Sequence, residues 1–121
     1  MKHVIADAYD VSNVDALKNL SALQNVVREV ARSLQLTVVA EAGHQFEPFG
    51  ATCVLVLAES HLSAHTWYER NQVHLDLFTC AGEELDVPRF VSLLQDGFAT
   101  SQISFKVIDR PLSSALPRRS R

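Results

Sequence analysis

ATCVLVLAESHLSAHTWYERNQVHLDLFTC, residues 51–80, is the stretch that decides the fold of this 121-residue chain. Residues 51–58 (ATCVLVLA) are almost wholly apolar, which is typical of a strand covered on both faces. Residues 73–78 (VHLDLF) alternate apolar and polar, and a period of two indicates a second strand. Ser60, Ser63 and Thr66 make the intervening segment a poor helix, and we expect a polar turn there.

Strand patterns also occur on both sides of this stretch. Lys2–Tyr9 is predicted as a first strand, Leu36–Glu41 as a short β-branched strand, and Ile103–Val107 as a last strand. A loop is expected over Gly43–Gly50, which contains a proline and two phenylalanines. The chain therefore has five predicted strands, with consecutive strands in its middle.

Two helices are predicted between these strands. The first carries an apolar stripe with steps of three and four residues, which indicates one buried helical face. We expect Ser12 and Asp15 to cap its N-terminus in a variant of the capping box. The second helix is predicted to begin after Asp86, with Pro88 in the first turn. The first stripe consists of Leu20, Leu23, Val27, Val30 and Leu34.

Five strands and two helices in this order predict an α+β fold. The simplest arrangement is a two-layer sandwich, in which one antiparallel sheet carries both helices on a single face. The other face would be bare and partly apolar, so we expect two sheets to pack against each other in a homodimer. Residues 1–111 form the single predicted domain, and residues 112–121 are predicted to be a disordered basic tail.

Composition and charge exclude several classes of function. The formal net charge is −3, and the one basic cluster lies in the tail, so we expect binding neither to nucleic acid nor to a membrane. The first residues lack the apolar core of a signal peptide, and no apolar run approaches about 20 residues. Two cysteines do not indicate a disulfide scaffold. We expect a cytoplasmic protein.

Residues 58–80 carry a dense set of reactive side chains, and the residues alone leave several interpretations open. His61 and His65 could be metal ligands, but pairs four residues apart suit a helix, and we expect no metal. Cys80 with a histidine could form a nucleophilic thiol pair. The segment could also be a polar turn followed by an ordinary strand, with no chemistry at all.

The run AESHLSAHTW at residues 58–67, with FTC ending twenty residues after Ser60, resembles the prokaryotic S-adenosylmethionine decarboxylase family. KHVIADAY at residues 2–9 and HQFEPFGATCVLVLAES at residues 44–60 are similar to that family's first strand, loop and cleavage strand. The resemblance implies a proenzyme that cleaves itself at a Glu-Ser bond and converts the serine into a pyruvoyl group. The substrate would be a small molecule, and no other cofactor would be needed.

The resemblance also implies roles for individual residues. The bond between Glu59 and Ser60 would be cut, which leaves a β chain of residues 1–59 and an α chain of residues 60–121. Ser60 would become the pyruvoyl group that forms a Schiff base with the substrate. His65 would be the proton acceptor in processing, Thr52 a processing hydroxyl, and Cys80 the proton donor in catalysis. The substrate-binding positions would be Phe46, Trp67 and Glu69.

Elementary chemistry is consistent with these implied roles. The hydroxyl of Ser60 lies one carbon from its own backbone nitrogen, so it can attack the preceding carbonyl through a five-membered ring. The amide becomes an ester, and the Thr52 hydroxyl is a candidate donor to the developing oxyanion. His65 suits removal of the Ser60 α-proton, because imidazole titrates near neutral pH.

The match weakens after HTW, where the family usually has proline and this chain has Tyr68 and, two residues later, Arg70. Proline would fix a backbone angle there, and we expect its loss, with the new Tyr68 and Arg70, to reshape the substrate pocket. The main hypothesis is an S-adenosylmethionine decarboxylase of polyamine biosynthesis that supplies aminopropyl groups for spermidine. One alternative is a pyruvoyl-dependent ornithine or arginine decarboxylase, and another is an unprocessed regulatory homologue without chemistry.

Overall fold

A computed structural model describes residues 1–58, 60–80, 85–111 and 113 of the chain. Its centre is one antiparallel sheet of six strands in the order β2-β3-β4-β5-β1-β6. The strands are β1 (Lys2–Tyr9), β2 (Val38–Gln45), β3 (Ala51–Leu57), β4 (Ser60–Trp67), β5 (Gln72–Thr79) and β6 (Gln102–Asp109). Glu59 and the tail from residue 114 lie outside the described residues.

Three α-helices accompany the sheet: α1 (Val14–Lys18), α2 (Leu20–Ser33) and α3 (Val87–Phe98). The first predicted helix is thus two helices, separated at Asn19, whose backbone is extended. The cap of α1 is Asn13, whose side chain accepts a hydrogen bond from Ala16 N–H at 3.2 Å, so the predicted Ser12 cap is wrong. None of the helices in the described ranges is long and apolar enough to cross a bilayer.

The predicted start of the last helix is confirmed. The carboxylate of Asp86 accepts a hydrogen bond from Arg89 N–H at 3.0 Å, and a proline occupies the first turn. The carboxylate satisfies one backbone amide that has no partner inside the helix, and the proline has no amide N–H that would need one. On the same helix, a Cβ built on Gly97 would lie 2.7 Å from a methyl group of Val26, so α2 and α3 can approach closely there.

The strand β4 is the main difference from the sequence-based prediction, which placed a polar turn over these residues. Its residues pair with β3 on one side and with β5 on the other. Leu62, Ala64 and Thr66 are buried and alternate with partly exposed polar residues. Only two of the three inward side chains are apolar, so the alternation was easy to overlook. The third, Thr66, donates through Oγ1 to Leu17 O and accepts from Ala51 N–H, both at 2.9 Å.

The core lies between the sheet and the helices, all on one face. Alternate residues of the central strands are buried against the apolar faces of α2 and α3. The α+β two-layer arrangement is therefore confirmed, with six strands and three helices instead of five and two. Core residues include Val4, Ala6, Leu23, Val27, Cys53, Leu55, Leu62, Leu75, Leu77, Phe90, Leu94 and Phe98.

The second face of the sheet, which we call the open face, carries no helix of the described chain. Successive residues of a strand point to opposite faces, so the residues that alternate with the core residues lie on the open face. They include all five histidines of the chain. Several large apolar side chains are also about two-fifths exposed there, namely Ile5, Val56, Trp67 and Ile108. A face with this mixture suits a partner surface, and packing of two sheets in a dimer stays a prediction.

Candidate active site

Ser60 is the first residue of β4 and follows the tight hairpin that joins β3 to β4, where it pairs with Leu57. Its Oγ atom is buried and has no hydrogen-bond partner among the described residues. Buried hydroxyls are nearly always hydrogen-bonded, so an exception calls for a chemical explanation. A buried hydroxyl without a partner among the described residues is suited to attack the neighbouring carbonyl. That carbonyl belongs to Glu59, which lies outside the described residues.

Cys80 lies at the same end of the sheet as Ser60. The strands β4 and β5 run antiparallel, and the register pairs His61 with Phe78. The start of β4 is therefore beside the end of β5, which Cys80 follows directly. Its side chain is half-buried. We call this region, defined by Ser60, His61, Phe78 and Cys80, the cleavage end.

A polar cluster on the open face borders the cleavage end and was not found from the sequence. His61 Nε2 lies 3.1 Å from Asp76 Oδ1, and His3 Nε2 lies 3.9 Å from the same oxygen. Neither contact has the geometry of a hydrogen bond, since Asp76 Oδ1 and His3 Nε2 have no such partner among the described residues. Both imidazoles also contact the Phe78 ring. The centroid distance to Phe78 is 5.2 Å for His3 and 5.9 Å for His61.

The opposite end of β4 carries an aromatic cluster, which we call the aromatic end. The His65 ring lies 5.7 Å from the Phe46 ring and 4.7 Å from the Trp67 ring, both edge-on. A shallow cavity of about 280 Å³ opens beside them. Its lining includes Phe46, Phe49, His65, Trp67, Tyr68 and Glu69. Three residues that the resemblance assigns to substrate binding therefore share one cavity.

Gln45 fixes the loop that presents Phe46 to this cavity. Its Nε2 atom donates to Lys18 O and Gly50 O at 2.8 Å and to Phe46 O at 3.0 Å. Its Oε1 atom accepts from Leu20 N–H at 2.7 Å, which caps α2 in place of a side chain from Asn19. Gly50 closes the loop at a φ of 111°, which is open to glycine. Gln45 therefore couples the loop to the helix layer.

His65 lies opposite Thr52 on the neighbouring strand β3. Partial burial lowers the pKa of the His65 imidazole from its ordinary value, and the nearby imidazole of His74 lowers it further. The Thr52 hydroxyl donates to Ala64 O at 3.2 Å. The lowered pKa favours the neutral imidazole of His65, which is the form that can accept a proton.

The two ends are separated within one chain. Ser60 and His65 are five residues apart on an extended strand, which corresponds to about 16 Å. The structure therefore groups Phe46, Thr52, His65, Trp67 and Glu69 at the aromatic end. It groups Ser60 with Cys80 at the cleavage end, and a single protomer does not bring the two groups together.

A sequence model of the S-adenosylmethionine decarboxylase family matches residues 2–111. The chain belongs to the S-adenosylmethionine decarboxylase family. It is 35% identical over 109 residues to an S-adenosylmethionine decarboxylase proenzyme of Archaeoglobus fulgidus, which covers 90% of this chain and 96% of that protein. A proenzyme of the same name from Thermosipho melanesiensis is 38% identical over 94 residues, 78% of this chain and 71% of its own length.

The fold is also that of a solved member of the family. The crystal structure of the adenosylmethionine decarboxylase from Aquifex aeolicus superposes with a TM-score of 0.81 and 26% identity. The match covers 98% of this chain and 96% of that one. The resemblance inferred from residues 58–67 and from the FTC run is therefore confirmed as family membership.

A pyruvoyl group made from a serine is the prosthetic group that the proenzyme name and the family imply. The residues at the cleavage end fit it. The buried Ser60 Oγ, without a partner among the described residues, is the atom that such a conversion consumes. Among the same residues, no group of three or more His, Cys, Asp or Glu side chains is placed to hold a metal ion.

Proposed function

We propose that this chain is a pyruvoyl-dependent S-adenosylmethionine decarboxylase, a carboxy-lyase whose product serves spermidine and polyamine synthesis. The single observation that supports this most strongly is the family match over residues 2–111. The relatives named above are S-adenosylmethionine decarboxylase proenzymes, and they give no support to ornithine or arginine as the substrate. A cytoplasmic location stays a prediction.

Maturation begins, in this proposal, with attack of Ser60 Oγ on the carbonyl carbon of Glu59. The C–N bond breaks, an ester forms, and the backbone nitrogen of Ser60 takes up the proton. The Thr52 hydroxyl that donates to the oxyanion at that carbonyl comes from a second copy, because Thr52 lies opposite His65 at the other end of its own sheet. Neutral His65 of a second copy then removes the α-proton of Ser60, and the new backbone carboxylate of Glu59 leaves with the ester oxygen. The dehydroalanine that remains tautomerises to an imine, which water hydrolyses to the pyruvoyl carbonyl and ammonia.

Turnover then relies on side chains at both ends. A pyruvoyl carbonyl supplies an electrophile that reacts with the substrate amine and accepts the electron pair released with carbon dioxide. Cys80 Sγ gives a proton back to the substrate carbon. A thiol carries an S–H group that can donate, which is what this step requires.

Substrate binding is assigned to the aromatic end. The rings of Phe46 and Trp67 both line the cavity, and aromatic rings suit a flat heteroaromatic group. Glu69 lies at the rim and is exposed, so its carboxylate is available to accept hydrogen bonds from vicinal sugar hydroxyls. Tyr68 takes the place of the family's usual proline and also lines the cavity.

A homodimer would unite the two ends. In a two-fold contact, residues i and j of one protomer meet residues j and i of the other. If the open faces pack together, the cleavage end of one protomer can lie against the aromatic end of its partner. The exposed apolar side chains on the open face, such as Ile5 and Val56, support this arrangement.

The proposal is tested by comparing Ser60→Ala with Ser63→Ala, which makes the same change three residues along β4. Ser60→Ala should give one uncleaved chain on a denaturing gel and no carbon dioxide from S-adenosylmethionine. Ser63→Ala should give the fragments 1–59 and 60–121 and release carbon dioxide. Efficient cleavage of the Ser60 variant would refute the site. Release from ornithine or arginine but not from S-adenosylmethionine would refute the substrate.

A further inference from the structure

We propose that His74 is a positioning residue, which holds the Trp67 indole at the rim of the cavity only while its own imidazole is neutral. The inference rests on the proposed function insofar as Trp67 contacts the substrate. Trp67 Nε1 lies 3.2 Å from His74 Nδ1, in hydrogen-bond geometry, and their ring centroids are 6.0 Å apart. No other side chain among the described residues forms a hydrogen bond with this indole.

The chemistry of the two rings fixes the proton of His74. An indole N–H can only donate, so His74 Nδ1 must be the acceptor and carries no proton. The neutral ring then has its proton on Nε2. On that side lies the Gln72 amide, 2.6 Å away, whose oxygen can accept once the amide is turned over. Asp7 Oδ1 is a further acceptor, 3.8 Å from Nε2.

The groups that face His74 come from both neighbouring strands. From β1, Asp7 pairs directly with His74, and its second oxygen accepts from the Tyr9 hydroxyl at 3.4 Å. From β4, His65 pairs with His74, and Trp67 is its hydrogen-bond donor. His74 is therefore flanked by the Asp7 carboxylate on one side and by the His65 imidazole and the Trp67 indole on the other.

Protonation of His74 would set two donors against each other. A proton on Nδ1 points at the indole N–H, and the hydrogen bond between the rings cannot form. Within one protomer, Trp67 would then be held by ring contacts such as that with His65, without a hydrogen bond to fix the direction of its indole N–H. Binding of a flat heteroaromatic substrate group should weaken as a result. Histidine is the side chain suited to such a change near neutral pH.

The first experiment uses the emission of Trp67, the one tryptophan in the chain. His65 also contacts this ring, so the titration is carried out in His65→Gln, where that imidazole is removed. We expect the emission to change in a single step between about pH 5 and 8. The step should vanish in the double variant His65→Gln, His74→Gln. The control is the double variant His65→Gln, His3→Gln, in which the step should persist. His3 lies near the start of β1, away from Asp7, which pairs with His74.

Absence of the step in His65→Gln, or its persistence after His74 is replaced, would overturn the proposal. The second experiment compares His74→Gln with His74→Phe in the cleaved enzyme. Gln keeps an acceptor for the indole N–H and cannot be protonated, so its KM should match that of the parent above neutral pH and should lack the rise that the parent shows in acid. Phe lacks the acceptor and should raise KM about 3- to 10-fold, with a smaller effect on kcat.

The two experiments separate failure of this inference from failure of the proposed function. The emission titration needs only a folded chain and gives a result for an inactive protein. An unchanged KM in His74→Phe would contradict the inference while leaving the decarboxylase intact. A parent enzyme that is inactive on S-adenosylmethionine would contradict the proposed function, and the emission titration would still decide whether His74 holds Trp67.

Discussion

At the scale of single residues, the proposed mechanism makes maturation of the proenzyme depend on the ionisation of His65. A base must be neutral to accept a proton, and partial burial together with His74 lowers the pKa of this imidazole. A lowered pKa keeps the imidazole neutral further into the acid range. Its capacity as a base is therefore present above the lowered pKa and is lost as the pH falls through it.

We predict that the rate of self-cleavage is constant above neutral pH and falls in acid with a midpoint below 6.5, the ordinary value for imidazole. Proenzyme made by cell-free synthesis can be moved into buffers between about pH 5 and 8 and followed on denaturing gels. In His74→Gln the like-charged neighbour is absent, so the midpoint should move upward while burial still holds it below 6.5. A midpoint above 6.5 in the parent would contradict the base assigned here.

Some of the candidate site residues could be predicted from the sequence, and one contact between side chains could not. Ser60, His65 and Cys80 were singled out because their motif is long and chemically unusual. The contact between Trp67 and His74 was not, because it depends on the register between β4 and β5. Alternation along a strand shows which side chains share a face, but it does not show which residues lie opposite each other. The sequence alone therefore assigns no role to His74.

At the scale of elements, β4 shows why a strand can escape detection. Its inward residues are Leu62, Ala64 and Thr66, one of them polar, so the apolar period is weak. Thr66 is tolerated because its hydroxyl has two hydrogen-bond partners, one in α1 and one in β3. Strands with stronger periods, such as β1 and β5, were predicted within a few residues of their observed bounds.

The loop before β3 depends on one amide, and this gives a prediction at the element scale. Gln45→Glu keeps the shape of the side chain but replaces the NH₂ group that donates to three carbonyls by an oxygen. Three carbonyl oxygens would then face a carboxylate, so we expect the free energy of unfolding to fall by about 1–3 kcal/mol. The KM for S-adenosylmethionine should rise too, because the loop carries Phe46.

Urea denaturation at a fixed protein concentration measures this change, and Gln102→Glu is the matched control. Gln102 is exposed at the start of β6, and the same substitution there should alter stability by no more than about 0.5 kcal/mol. Equal effects of the two substitutions would show that the Gln45 amide does not anchor the loop. The sequence offered no signal for this role, since a glutamine at a strand end is unremarkable without its partners.

At the scale of the whole molecule, we propose that two copies pack through their open faces and so bring the two halves of the candidate site together. One protomer holds Ser60 and Cys80 about 16 Å along the sheet from His65 and Trp67. That distance is too long for proton transfer between His65 and the α-carbon of Ser60 in the same chain. Either the sheet rearranges, which its continuous pairing opposes, or the base comes from a second copy.

Mixed dimers distinguish these possibilities. A His65→Ala chain keeps Ser60, and a Ser60→Ala chain keeps His65, so neither should cleave when it is expressed alone. If the base acts across a dimer, the His65→Ala chain should be cleaved when it is paired with a Ser60→Ala partner, which supplies an intact His65. Different affinity tags on the two chains allow the mixed dimer to be isolated and its fragments assigned by mass spectrometry. An isolated mixed dimer in which both chains stay whole would mean that His65 acts only on Ser60 of its own chain. Face-to-face packing of two copies would then not be required for cleavage.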